Sequence, residues 1–305
     1  MPIKFISMFS GIEAASVAWR PLGWECLAVA EIEPFPSAVL AYHYPDVPNL
    51  GDITKANWGQ YKGKCDVVIG GPPCQAFSVA GLRRSLQDGR GSLSLKFIKA
   101  IDAIGPQWVI AENVPGWLST KDNAFGCFLA GIVGADAPLV SPLKRGRWVN
   151  AGMVIGPKRT AAWRIFDAQY FGLAQRRRRV FVVASPRNGA NPAAVLFERQ
   201  SLSGNVNTPS RDEDFVPVCV TARGVQSNDN RETYIIEFNG KTRRLIPIEK
   251  ERQFGFPDNY TRIPWRGKPA ENCPDGNRYK ALGNSMAVPC IKWLGQRIEA
   301  VEKLR

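Results

Sequence analysis

The sequence predicts an α/β chain: a doubly wound, mostly parallel sheet with a smaller irregular domain carried in its second half. Two observations predict it. Short β-prone apolar runs alternate with stretches of helical periodicity through the first 114 residues, the pattern of strand–helix–strand units. From about residue 186 to 242 the texture changes to Asn, Ser, Gly and Pro with short β-prone pieces, before helical patterning resumes.

Each element follows from its local pattern. Residues 3–9 (IKFISMF) form a short apolar run and are expected as a strand. Residues 12–23 (IEAASVAWRPLG) are expected as a helix ended by Pro21 and Gly23. Residues 25–33 (ECLAVAEIE) read as the next strand, and 34–44 (PFPSAVLAYHY) as a helix with prolines in its first turn. A third strand is expected at 65–71 (CDVVIGG), a helix at 93–104 (LSLKFIKAIDAI) and a fourth strand at 107–114 (QWVIAENV). Residues 243–260 return to a helix-like pattern, and 290–304 (CIKWLGQRIEAVEKL) form an amphipathic helix. The chain therefore divides into residues 1–185, 186–242 and 243–305.

Ligands of such sheets bind at the carboxyl ends of the strands. Phe9-Ser10-Gly11, Glu31, Gly71 to Cys74 and Glu112-Asn113 all fall there. The turn after the third strand reads GGPPCQAFSVAG over residues 70–81. Pro72 and Pro73 fix the backbone just before Cys74, so its thiol leaves the strand in a restrained direction. A thiolate is a soft nucleophile suited to an electron-poor ring carbon, but a free thiol has a pKa of ~8.5 and needs activation at neutral pH. Glu112 is the neighbouring carboxyl at the adjacent strand end. Glu31, closing the second strand, suits ribose hydroxyls, and Asp52 in the following loop adds a second acid, which together describe a nucleoside-bearing cofactor. No phosphate-binding Gly-x-x-x-x-Gly-Lys-Ser/Thr motif is present, so phosphoryl transfer has no support.

The charge balance adds a partner. Net charge is +13 with a pI near 9.6, which points to a polyanion. Residues 1–140 carry eleven basic and twelve acidic side chains, whereas 141–185 carry ten basic and one acidic, so the excess is local. Residues 186–242 are near neutral, with six basic and seven acidic. Seven cysteines without a C-x-x-C pair and a single histidine, His43, argue against a disulfide framework and a two-histidine metal site, and fit a reducing cytoplasm. No apolar run approaches the ~20 residues of a membrane span.

Six motifs in order resemble the cytosine-5 DNA methyltransferases: FSGIEAA with Glu31 and Asp52, GGPPCQAFSVAG, ENV at 112–114, QYFGLAQRRRRVFVVAS, RRLIPIEKERQFGFPDNY and YKALGNSMAVP. The resemblance covers nearly the whole chain except 186–242. It implies a Rossmann-like catalytic and cofactor-binding domain over 1–185, a target-recognition domain over 186–242, and a closing segment, 243–305, that returns to the first. It implies S-adenosylmethionine as cofactor, S-adenosylhomocysteine as product, no metal, double-stranded DNA as partner, and a monomer without membrane association. The catalytic residues it implies are Cys74, adding to C6 of a flipped cytosine, Glu112, holding the N3 and amino edge, Arg177, contacting the base, and Arg179, holding the local network. Cofactor contacts would come from Phe9, Ser10, Gly11, Glu31, Ile32, Asp52, Ile53, Pro73, Asn284 and Met286. DNA contacts would come from Gln75, Ser78, Arg90, Gln175, Arg177 and Arg223.

Three positions depart from the family pattern. Glu13 replaces a glycine, Ile32 an aromatic, and Ile246 a threonine. The opening MFSGIEAASVAW is similar to phage- and prophage-borne members, which implies a protective modification enzyme. Two alternatives stay open: cytosine methylation in structured RNA, and an inactive regulatory DNA-binding relative.

Overall fold

The structure is a computed structural model and describes residues 2–73, 92–143, 146–197, 234–236 and 242–305. Seven strands form one sheet: β1 (Lys4–Met8), β2 (Glu25–Ala30), β3 (Val67–Gly70), β4 (Trp108–Asn113), β5 (Ala151–Ile155), β6 (Arg159–Asp167) and β7 (Arg178–Pro186). Their order across the sheet is β2-β1-β3-β4-β7-β6-β5. The first four pair in parallel, whereas β7, β6 and β5 add by antiparallel pairing. Five strands thus point one way, and only β7 and β5 oppose them. The expected doubly wound, mostly parallel sheet is present, with an antiparallel edge that local patterning did not announce.

Alternation along the strands sorts the core into two layers. Phe5, Val67, Ile69, Trp108 and Ile110 face one side, against helices α1 (Ala14–Trp19) and α8 (Val288–Glu302). Ile6, Met8, Val68, Val109 and Ala111 face the other, against α3 (Leu93–Ile104) and α4 (Ala124–Val133). Both faces are covered, so each parallel strand is apolar on both sides.

Several boundaries differ from expectation for local reasons. Helix α1 begins only at Ala14, because Gly11 (φ 56°) and Glu13 (φ 66°) are left-handed; Pro21 then opens a short 3₁₀ turn ended by Gly23. Strand β2 stops at Ala30, because Glu33 is already the N-cap of α2 (Pro34–His43). After β7 the chain stays on the sheet: α5 (Pro192–Leu196) packs Val195 and Leu196, both fully buried, into the layer that holds α8. The segment expected to be irregular from 186 therefore opens with residues that belong to the main body. Further on, β8 (Tyr234–Ile236) and β9 (Thr242–Arg244) form an antiparallel pair, and α6 (Pro247–Phe254) and α7 (Asp275–Asn284) lead to α8. Among the described residues, no helix is long and apolar enough to cross a membrane.

Candidate active site

The carboxyl ends of β1 to β4 lie side by side and carry the expected site residues. After β1 the chain reverses sharply, with Phe9 itself at φ 54°. The Ser10 hydroxyl donates to Ser7 O (2.9 Å) and accepts from Ala30 N (3.0 Å), fastening the end of β1 to the end of β2. Glu31 is held by two backbone donors: Gly11 N gives to Oε2 at 2.8 Å and Glu33 N to Oε1 at 2.7 Å. Asn49 grips its backbone, donating from Nδ2 to Glu31 O (3.1 Å) and accepting from Glu31 N at Oδ1 (3.0 Å). Sequence reading passed over Asn49; its one signal is an amide residue two positions before the Gly51-Asp52 turn.

Asp52 is half-buried and accepts Thr54 N at 2.9 Å; bonds to Thr54 hold its pKa below the usual carboxylate range, so it is an ionised acceptor at neutral pH. Ile53 is buried in the core and its carbonyl receives the Trp58 indole N–H. Ile32 is 69% exposed, without the stacking partner an aromatic would offer there.

At the end of β3, a Cβ on Gly70 would sit 2.7 Å from the Phe97 ring and 2.9 Å from Met8 O, so only glycine fits. At Gly71 it would lie 3.6 Å from Met286 Cε and 3.7 Å from Glu112 Oε2, which places the Gly71 backbone between those two side chains. The Pro72 carbonyl accepts from Asn113 Nδ2 (3.0 Å), and the Pro73 carbonyl from Ser94 Oγ (3.1 Å). Cys74, Gln75, Ser78, Arg90 and Arg223 lie outside the described residues.

At the end of β4, Glu112 Oε1 is 3.0 Å from Arg179 Nε, and both side chains are largely buried. The contact is an ion pair rather than an aligned hydrogen bond, since Oε1 is buried without a hydrogen-bond partner among the described residues. Burial raises the Glu112 pKa; the charges of Arg179 and Arg177 pull it back only in part. Arg177 was expected at the base and Arg179 in the local network; of the two, it is Arg179 that pairs with Glu112. Arg177 precedes β7 and is buried, its Nη2 donating to Gly283 O (3.1 Å) and Ser285 O (2.7 Å), its guanidinium 4.7 Å from the Phe254 ring centre. Gln175 is fully buried, and among the described residues neither of its amide atoms has a partner.

Two adjoining cavities run along these strand ends. The inner one, about 70 Å³, is lined by Phe9, Ser10, Gly11, Glu112, Asn284 and Met286, among others. The outer one, about 190 Å³, shares Gly11 and Asn284 and continues past Glu31 to Trp265 and Lys280. Six of the ten expected cofactor residues thus border one trough that ends at Glu112, whereas Ile32, Asp52, Ile53 and Pro73 border neither cavity. A glycine turn, a bound acid, an aromatic and an amide are the kind of partners a nucleoside-bearing ligand takes. Among the described residues, no group of three or more His, Cys, Asp or Glu could hold a metal ion.

The chain resembles known proteins in sequence and in fold. The profile of the C-5 cytosine-specific DNA methylase family matches residues 3–130. The chain is 34% identical to the DNA N-6-adenine-methyltransferase of Escherichia phage P1, over 96% of this chain but 60% of that protein. It is 30% identical to the Type II methyltransferase M.NgoPII of Neisseria gonorrhoeae, over 94% of this chain and 92% of that one. Among solved structures, the S. pombe Dnmt2 methyltransferase superposes with a TM-score of 0.68 at 14% identity, covering 98% of this chain and 99% of its own.

Proposed function

The chain belongs to the C-5 cytosine-specific DNA methylase family, and from that membership we propose that it methylates C5 of a cytosine flipped out of double-stranded DNA, through a bond between Cys74 and C6. S-adenosylmethionine is the proposed methyl donor, and S-adenosylhomocysteine the product. The observation that supports this most is the Glu112–Arg179 pair at the inner end of the trough, one glycine away from Met286 and beside the turn that leads to Cys74.

The residues divide the chemistry. The Cys74 thiolate adds to C6, and the ring electrons move toward N3 and C5. Glu112, its pKa raised by burial, carries a proton to N3 and accepts from the exocyclic amine, which leaves C5 the nucleophile. Arg179 orients the Glu112 carboxyl. The cofactor supplies an electrophilic methyl group. After transfer a base removes the C5 proton, the Cys74–C6 bond breaks, the thiolate departs, and the N3 proton returns to the Glu112 carboxylate. The chemistry needs an extruded base, because C5 and C6 cannot be reached within the stack. Arg177 acts in support, holding the carbonyls that flank Asn284. The cofactor's ribose is assigned to Glu31, which keeps free lone pairs beside its two backbone bonds. The near-neutral stretch within 186–242 is read as the sequence-reading part, and the basic 141–185 region as the phosphate-facing part.

The name of the phage P1 relative gives a second reading, methylation of adenine N6. An exocyclic amine needs no thiol addition, so the Pro-Pro-Cys turn favours cytosine. Purified protein incubated with duplex DNA and S-adenosylmethionine decides between them by nucleoside analysis. 5-Methylcytosine in the DNA is expected; N6-methyladenine, or product only in RNA, would overturn the reading.

A further inference from the structure

We propose that Ser94 is a positioning residue for the nucleophile, fixing the Pro73 carbonyl and with it the direction in which the chain enters Cys74; the inference rests on the function proposed above. Ser94 stands where helix periodicity calls for an apolar residue. Phe97, Ile98 and Ile101, at i+3, i+4 and i+7 from it, are buried in the core, and Ser94 itself is 2% exposed. A buried hydroxyl is unfavourable unless it is bonded. A helical serine ordinarily bonds back to the carbonyl four residues earlier. Ser94 is the second residue of α3, which begins at Leu93, so the position four residues back lies before the helix. The hydroxyl instead donates to Pro73 O at 3.1 Å.

That acceptor has a particular consequence. Pro72 and Pro73 have no N–H, so this turn can be anchored only through its carbonyls. Both are taken: Pro72 O by Asn113 at the end of β4, and Pro73 O by Ser94 at the start of α3. The Pro73 carbonyl carbon is bonded to the nitrogen of Cys74, and the peptide unit is planar. A bond that fixes that oxygen therefore fixes the plane from which Cys74 departs. An apolar residue at 94 would fill the core equally well and leave this plane free to rotate. Rate is sensitive to such freedom, because misplacing a reacting atom by about 1 Å can lower it about a hundredfold.

The test compares parent, Ser94→Ala and Ser94→Thr. Two readouts are taken: the single-turnover rate of covalent adduct formation on a 5-fluorocytosine duplex with S-adenosylmethionine, and hydrogen exchange in the peptide spanning residues 68–76. Ser94→Ala should form adduct roughly ten- to a hundredfold more slowly and exchange faster in that peptide, with S-adenosylhomocysteine affinity and melting temperature unchanged. Ser94→Thr, which keeps the hydroxyl, should recover most of the rate. Adduct formation by Ser94→Ala at the parental rate, unaltered exchange, or a slowing that matches a general loss of stability would each overturn the assignment. A parent that forms no adduct and methylates no DNA would instead contradict the proposed function, and the exchange measurement would still decide whether Ser94 anchors the turn.

Discussion

The outer and inner ends of the trough are built in opposite ways. At the outer end, Glu31 is held by backbone N–H groups of Gly11 and Glu33, and every anchor comes from within the first 50 residues. At the inner end, Glu112 meets Arg179 from an antiparallel strand, and the loop beside it is held by Arg177 from more than 100 residues away. Backbone donors hold a carboxylate in place while it keeps lone pairs for hydroxyl groups. Burial raises the pKa of the inner carboxyl while the charges of Arg179 and Arg177 pull it back in part, which suits a group that exchanges a proton. The outer end is thus suited to binding and the inner end to chemistry.

Substitution of each acid separates the two. Glu112→Gln should lower turnover by roughly 10²–10⁴-fold, the range for losing a positioned acid–base group, with S-adenosylhomocysteine affinity unchanged. Glu31→Ala should do the reverse, weakening that affinity by about 1–3 kcal/mol and lowering the rate only at limiting cofactor. Calorimetry and saturation kinetics on both variants check this; equal effects on binding and rate in either variant would erase the distinction.

The two arginines sharpen it further. Arg179→Ala should lower kcat with little change in cofactor affinity, because its contact is Glu112. Arg177→Ala should raise the Kd for S-adenosylhomocysteine roughly tenfold, since loss of charged hydrogen bonds worth about 1.5–3 kcal/mol releases the carbonyls beside Asn284. If Arg177→Ala leaves cofactor binding intact and affects only the base step, the expectation from family resemblance was the better one.

How much of this was legible depends on distance along the chain. The turns at Phe9–Gly11, Glu31, Gly70–Pro73 and Glu112 were readable because a strand end followed by glycine or proline is a local signal. The antiparallel edge was not, because β7 is seated by pairing Glu112 with Phe181 and Asn113 with Val180, a register no local window contains. For the same reason the protein neighbours of the two arginines, Glu112 for Arg179 and the carbonyls flanking Asn284 for Arg177, were not legible. Ser94 was not singled out, because its acceptor, Pro73, lies 21 positions earlier in the chain. Asn49 offered only its place two positions before the Gly51-Asp52 turn.

A smaller effect concerns Glu13, buried behind the outer end. It caps α1 through bonds to the amide and hydroxyl of Ser16, and its other oxygen has no hydrogen-bond partner among the described residues. Burial pushes its pKa up to about 7. Its folded pKa lies above its unfolded value, so its contribution to stability is complete at low pH and is lost as pH rises through about 7. Across that window the loss is on the order of 3 kcal/mol. Glu13→Gln should therefore melt higher than the parent at pH 8 and show little advantage at pH 4.5. A parent and variant that differ by the same amount at both pH values would contradict a titrating Glu13.

The central claim is that Cys74 bonds to C6 of cytosine while the trough delivers the methyl group. A DNA duplex with 5-fluorocytosine at the target tests it most directly. Fluorine cannot leave C5 as a cation, so elimination stops after methyl transfer and the protein stays joined to DNA. The expected adduct survives denaturing electrophoresis, requires S-adenosylmethionine for its stable form, and is absent in Cys74→Ser. Methylation of ordinary cytosine by the parent without any such adduct, or an adduct that persists in Cys74→Ser, would contradict it.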